Sequence, residues 1–277
     1  MRICVWAKWG LSMYETIDYR VDDGVALICL NRPQRHNAIN DLMHRELPQV
    51  WQRFKSDPTA IVAIITGAGE RAFCSGADIA DLPSIDFALD AAGKDAVSAI
   101  RWTSQQNDVW KPVICAVNGM TVGGGLHFVA DSDIVIAADT ATFSDTHVQV
   151  GLVAGLEPVG LCRRMASEAV LRMALMGGCE KMSAQRAYEL GMVSEIVAAP
   201  QLAARARQIA DIIKRNSPSA MARTKKAIWQ AKELPLRAAI ENAWRLIGAQ
   251  NAEHDFVEGT RAYLEKRPPV WAPYIDE

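Results

Sequence analysis

The spacing of apolar and polar positions changes character twice along this chain. Residues 14–21 and 25–30 are short β-rich runs separated by Asp22-Asp23-Gly24, the residue types of a hairpin turn. After Asn31-Arg32-Pro33 the period lengthens. Met43, Leu47, Val50, Trp51 and Phe54 recur at helical spacing behind a cap at Asn40 or Asp41, and Asp57-Pro58 ends the run. Pro48 inside that pattern is expected to kink the helix or shift its start. Residues 61–66 form an unbroken β-branched run followed by Gly67-Ala68-Gly69, as in a strand buried on both faces. Residues 112–117 and 133–137 repeat the theme with helical segments between them, which predicts α/β layers joined by crossovers. From about Glu157 the pattern reads as almost wholly helical, with breaks at Gly177-Gly178, Gly191 and Ser217-Pro218. Residues 203–214 and 221–231 are good helix formers. A strand-rich first half and a helical tail make two lobes, with neither a disordered linker nor an internal repeat.

Composition narrows the function classes. With 277 residues and 50% hydrophobic content the chain can bury a substantial core. A net charge of −2 implies no basic field of the kind that holds nucleic acid. The local cluster Arg223, Lys225, Lys226 reads as a solvated helix face. Six scattered cysteines form no C-x-x-C pair and sit mostly in apolar stretches, which suggests buried free thiols in a reducing, cytoplasmic compartment and no metal site. No apolar run approaches the roughly 20 residues that span a bilayer. Residues 1–12 contain Cys4, Trp6 and Trp9 but lack the apolar centre of a secretory signal, and read as an extension ahead of Met13.

Two glycine-containing turns follow strands: Phe73-Cys74-Ser75-Gly76-Ala77-Asp78-Ile79 and Asn118-Gly119-Met120-Thr121-Val122-Gly123-Gly124-Gly125. Neither matches a phosphate-binding G-x-x-x-x-G-K-[ST] or G-x-G-x-x-G pattern. Glycine at a helix start lets a ligand approach the backbone, where the first N–H groups have no partner. Two such turns meeting in space make an oxyanion hole. Taken singly, each is equally a tight turn and nothing more.

The ordered series resembles the crotonase (enoyl-CoA hydratase/isomerase) superfamily. It runs through Leu30-Asn31-Arg32-Pro33 with Asn37-Ala38, Ile64-Ile65-Thr66-Gly67, both glycine turns, Asp133-Ile134, Phe143, Gly151-Leu152, residues 183–197 and Leu264-Glu265-Lys266-Arg267-Pro268. It covers essentially everything after Met13. The resemblance implies an α/β, ClpP/crotonase-like spiral of β-β-α units over residues 13–200 and a C-terminal helical trimerisation region over 201–277, assembled as a homotrimer or a dimer of trimers. It implies a bent acyl-CoA thioester as substrate, with CoA as part of that substrate and no separate cofactor. Carried over by position, the oxyanion donors are the backbone N–H groups of Ala77 and Gly124. Asp78 and Ile79 flank the pantetheine and adenine path beside Ala38, and Arg35 and Lys266 (or Arg267) reach the CoA phosphates. Each of those basic residues is also readable as ordinary solvated surface.

At the two positions where hydratases of this superfamily carry glutamate, this sequence has His127 and His147, two of only five histidines. Imidazole titrates at about 6.5 and can move a proton or orient a water. His127 is alternatively a hydrogen-bonded core histidine, since Leu126, Phe128 and Val129 around it are apolar. Asp145 and Glu157 are nearby acids, and Glu157 either works with His147 or simply favours the start of a helix at Pro158. Three functions follow: a hydratase-like lyase using His127 and His147, a carbon–carbon hydrolase using His147 with an acid, or an acyl-CoA-binding protein without turnover. Leu156 stands where relatives such as 6-oxocamphor hydrolase carry an aspartate. The acyl pocket is expected along residues 81–99, with Leu82, Ile85, Phe87 and Leu89 as candidates to line it.

Overall fold

The amino-terminal hairpin forms around the turn its residues specify. β1 (Ile17–Asp22) pairs antiparallel with β2 (Val25–Leu30), and Ile17 lies opposite Leu30. Asp23 and Gly24 between them take φ of 46° and 76°, the left-handed pair that lets a two-residue turn follow the twist of its strands. The computed structural model describes residues 13–82 and 99–276. The extension over 1–12, and Ile85, Phe87 and Leu89 of the expected pocket wall, lie outside the described residues.

α1 (Asp41–Ser56) starts where Asn40 Oδ1 accepts the Met43 N–H at 3.1 Å, so Asn40 and not Asp41 is the cap. Pro48 lies within the helix and does not move its start. An internal proline costs about 3 kcal/mol. The five apolar side chains buried on this face (Met43, Leu47, Val50, Trp51 and Phe54) each return roughly 1.5–3 kcal/mol and outweigh it.

The chain then lays strands alternately in two sheets. β3 (Val62–Gly67), β4 (Ala72–Cys74), β5 (Val113–Val117) and β6 (Met120–Val122) are followed by α2 (Leu126–Asp131). β7 (Ile134–Ala138), β8 (Thr142–Ser144), α3 (Leu156–Leu161) and α4 (Ser167–Met176) come next, then β9 (Met182–Ser183), α5 (Ala184–Glu189) and β10 (Glu195–Val197). The six-stranded sheet has the order β1-β2-β3-β5-β7-β10 and the four-stranded one β4-β6-β8-β9. Apart from the antiparallel β1/β2 and β8/β9 pairs, neighbours run parallel. Each pass adds one strand to each sheet, which winds the chain into a spiral.

β2 illustrates why the larger sheet reads as unbroken apolar sequence. Ala26, Ile28 and Leu30 face the core that contains α1, whereas Val25 and Leu27 face a second core with Leu202, Ala206 and Ala210 of α6 (Leu202–Ile213). α7 (Pro218–Gln230), α8 (Leu236–Asn251) and α9 (His254–Glu265) complete the described chain.

Three sequence expectations need correction. The region after Glu157 is not almost wholly helical, because β9 and β10 return to the sheets as strands too short to carry a periodic signal. Arg223 and Lys225 do not form a solvated face. Lys225 is buried with its ammonium 2.9 Å from Asp133, and Arg223 pairs with Glu253, because α7 packs on the end of the sheet. Of the cysteines, Cys29, Cys74 and Cys115 are buried, but Cys162 and Cys179 are exposed.

Candidate active site

The two glycine turns meet as their sequence suggests. At the end of β4, Ser75 N–H donates to His36 O at 3.1 Å, Ile39 N–H to Gly76 O at 2.8 Å, and Asp78 N–H to Ile39 O at 2.9 Å. Gly76 N–H and Ala77 N–H are both left out of those backbone bonds, and that of Gly76 turns to the Cys74 sulfur. Arg32 braces the same turn from behind. Its guanidinium is 2.9 Å from the Asp78 carboxylate and donates to Ala38 O at 2.6 Å. In the second turn, Gly123–Gly125 form a 3-10 turn leading into α2, so Gly124 N–H falls among the first amides of a helical run, where no intrahelical acceptor exists.

Gly76 has φ +87°, and a Cβ there would stand 3.0 Å from Gly124 N. A Cβ on Gly124 would stand 3.5 Å from Ala77 N and 2.9 Å from Cζ3 of Trp102. Only glycine allows the turns this close. The Ala77 and Gly124 amides therefore lie close together where the two turns meet.

A cluster of acid–base side chains lies against the same turn. His127 is the second residue of α2 and almost fully buried, and its Nε2 is 3.3 Å from Glu157 Oε1. Glu157, also buried, sits in the first turn of α3, where the helix dipole favours a carboxylate. His147 follows β8. Its Nε2 is 3.9 Å from the same Glu157 oxygen, and its Cε1 lies 3.3 Å from where a Gly123 Cβ would be.

The fully buried Asp145 accepts from His147 Nδ1 at 2.7 Å and from His147 N at 3.0 Å, both through Oδ1. Its Oδ2 meets no donor among the described residues. Asp145 thus concentrates its charge on one imidazole. That hydrogen bond holds the His147 pKa above its ordinary value, against the opposing effect of burial, with the charge of Glu157 adding to the rise.

The remaining sequence candidates are distributed differently. Ile79 is 74% exposed at the rim, beside the buried Ala38. The Asp78 carboxylate is committed to Arg32. Arg35 and Lys266 are both exposed, the latter as the left-handed residue that closes α9. Arg267, the alternative to Lys266, is bound to Glu258 and Glu265. Trp102 and Gln106 went unnoticed in the sequence, and Arg32 was noticed only as part of the Leu30–Pro33 series, without its role in bracing the turn. The Trp102 ring meets His127 edge-on at 5.4 Å and donates Nε1–H to His44 Nδ1 at 2.8 Å. Gln106 Nε2 lies 3.4 Å from His127 Nδ1. Trp102 and Gln106 belong to an irregular stretch without motif or period, so no sequence signal pointed to them.

Comparisons with known proteins find matches along nearly the whole chain. Residues 20–273 match the family model described as enoyl-CoA hydratase/isomerase. The chain is 33% identical over 259 residues to the (E)-benzylidenesuccinyl-CoA hydratase of Thauera aromatica, covering 92% of this chain and 98% of that one. It is 35% identical over 262 residues to a mevalonyl-coenzyme A hydratase of Aspergillus fumigatus, covering 90% and 92%. Among solved structures, an enoyl-CoA hydratase/isomerase from Mycobacterium paratuberculosis superposes with a TM-score of 0.85 at 41% identity, over 94% of this chain and 99% of that one.

Proposed function

The chain belongs to the enoyl-CoA hydratase/isomerase family and has its crotonase fold, and from that premise we propose that it adds water to, or removes it from, an acyl-CoA thioester. The hydratases among its relatives act on CoA esters by name, which supports the substrate class. One observation carries the reaction. The paired free amides of Ala77 and Gly124 share a wall with His127, His147 and Glu157, through Gly123 against the His147 ring.

In this reading the thioester oxygen lies between the two amides. Water attacks the β-carbon of the conjugated double bond, and electron density moves through the α-carbon onto that oxygen, where the two N–H groups stabilise the enolate. Glu157 and the imidazoles orient the water, take its proton and return a proton to the α-carbon. Imidazole in place of carboxylate at the two family glutamate positions leaves one carboxylate, Glu157, facing the developing negative charge. Ala38 and Ile79 flank the pantetheine arm, with Arg35 and Lys266 toward the phosphates. Asp78 acts through its backbone, its carboxylate being held by Arg32.

We further propose that the chain works as a homotrimer or a dimer of trimers. Leu171 and Leu175 of α4, with Leu236, Ile240 and Trp244 of α8, are exposed large apolar side chains that one chain leaves uncovered. Light scattering on the purified protein tests this, and a monomer would refute it. The function is tested with crotonyl-CoA as probe. Gain of one water without change of carbon skeleton supports hydration. A second reading, carbon–carbon hydrolysis, draws on the Asp145–His147 dyad, a pair able to activate water toward a ketone. Splitting of a β-ketoacyl-CoA into two acyl fragments, with no hydration of crotonyl-CoA, would move the assignment there.

A further inference from the structure

His127 and His147 have opposite surroundings, and the difference resides in Gln106. Gln106 Oε1 accepts the backbone N–H groups of Trp102 at 2.8 Å and Thr103 at 3.1 Å. Those two bonds fix which end of the amide is oxygen, because backbone N–H groups can only donate. The amide nitrogen therefore points at His127 Nδ1, 3.4 Å away. An NH₂ group has no lone pair to offer, so Nδ1 must be the accepting, unprotonated ring nitrogen. The ring proton then resides on Nε2, 3.3 Å from a Glu157 oxygen. The other tautomer would set N–H against NH₂ and a lone pair against a carboxylate. The imidazolium form would again place N–H against NH₂.

We propose that Gln106 is a positioning residue that locks His127 as the Nε2–H tautomer, with that N–H turned toward Glu157 3.3 Å away, so that proton transfer falls to Glu157 and His147. His147 is the mirror case. Its Nδ1–H donates to Asp145, which leaves Nε2 with a lone pair turned to Glu157. One histidine holds the carboxylate and the other exchanges protons beside it. The catalytic half of this proposal rests on the hydratase reading; the tautomer is a property of the resting protein and does not.

Histidine-selective ¹⁵N labelling of the full-length protein, with His127→Gln to assign the signal, reads the tautomer without substrate. The expected spectrum shows His127 protonated at Nε2 and unprotonated at Nδ1. Gln106→Leu should give a mixture of the two tautomers, and Gln106→Glu should place a proton on Nδ1. With crotonyl-CoA, His127→Gln keeps a donor toward Glu157 but cannot exchange a proton. It should lose no more than about tenfold in kcat, where loss of a true acid–base group costs about 10²–10⁴. A wild-type spectrum with the proton on Nδ1, or an imidazolium at neutral pH, overturns the proposal. So does a His127→Gln variant as inactive as Glu157→Gln while still binding the CoA ester. If wild type fails to hydrate crotonyl-CoA, the hydratase reading fails, and the spectrum alone still decides the tautomer.

Discussion

The two halves of the candidate site are made from different materials. The half suited to stabilise negative charge is backbone: two amides on facing turns, left free because neighbouring amides are bonded elsewhere and because glycine permits the approach. The half suited to move protons is side chain, gathered from a short 3-10 turn (Gln106), α2 (His127), the segment after β8 (Asp145 and His147) and α3 (Glu157). Backbone donors have one chemistry and one charge state, so this half admits little variation beyond its glycines. The side-chain half can exchange glutamate for histidine and recover a carboxylate from another element, provided the hydrogen-bond polarity closes. Family likeness should therefore be strongest in the first half and individual chemistry concentrated in the second.

The sharpest way to break the backbone half is Gly124→Val. Its side chain would collide with Trp102 and crowd Ala77 N. Removal of one oxyanion donor costs about 10²–10³ in kcat. A substitution that disturbs both should cost at least about 10³, measured with crotonyl-CoA on protein whose circular dichroism is unchanged. In the other half, Glu157→Gln preserves shape and removes the acid–base group. It should lower kcat by about 10²–10⁴ with KM little altered, since the loss falls on the transition state.

Asp145→Asn separates charge from shape. Asp145 raises the His147 pKa above 6.5, so a step that needs the neutral ring fails as pH falls through that raised value. Without the aspartate charge the acid limb of the pH–rate profile should move to lower pH, while the plateau drops by about 10²–10⁴ because asparagine no longer dictates which ring nitrogen carries the proton. An unmoved limb would mean that His147 is not the titrating group.

The smallest effect on activity is expected from Arg32→Met. Ile39 still holds the turn through two backbone bonds, so kcat should fall tenfold or less by the usual scale of positioning losses. Asp78 would lose its partner in a pair whose side chains are 13% and 10% exposed. A stability loss of about 2 kcal/mol is expected from urea unfolding, somewhat less than for a fully buried pair.

How much of this was legible beforehand follows the same division. β3, β5 and β7 announced themselves as apolar runs because both faces of the large sheet are covered. β9 and β10 did not, since two- and three-residue strands with half-exposed positions leave no period to read. Lys225 looked solvated because charge alone does not disclose that α7 aims it at Asp133. In the site, glycine spacing pointed to the two turns that meet, and the family resemblance pointed to His127 and His147, which lie on either side of Glu157. Glu157 was legible as a nearby acid but not as the carboxylate shared by both histidines. The roles of Gln106 and Arg32 were out of reach, because they depend on which backbone groups orient their side chains across the fold.

The most direct test of the central claim is mass spectrometry of crotonyl-CoA incubated with the protein in ¹⁸O-labelled water, alongside Glu157→Gln and His147→Ala. A product heavier by one labelled water, with an intact carbon skeleton, that is lost in both variants is the result predicted for an enolate-stabilising hydratase. Wild-type protein that binds crotonyl-CoA tightly and returns it unlabelled would contradict the account.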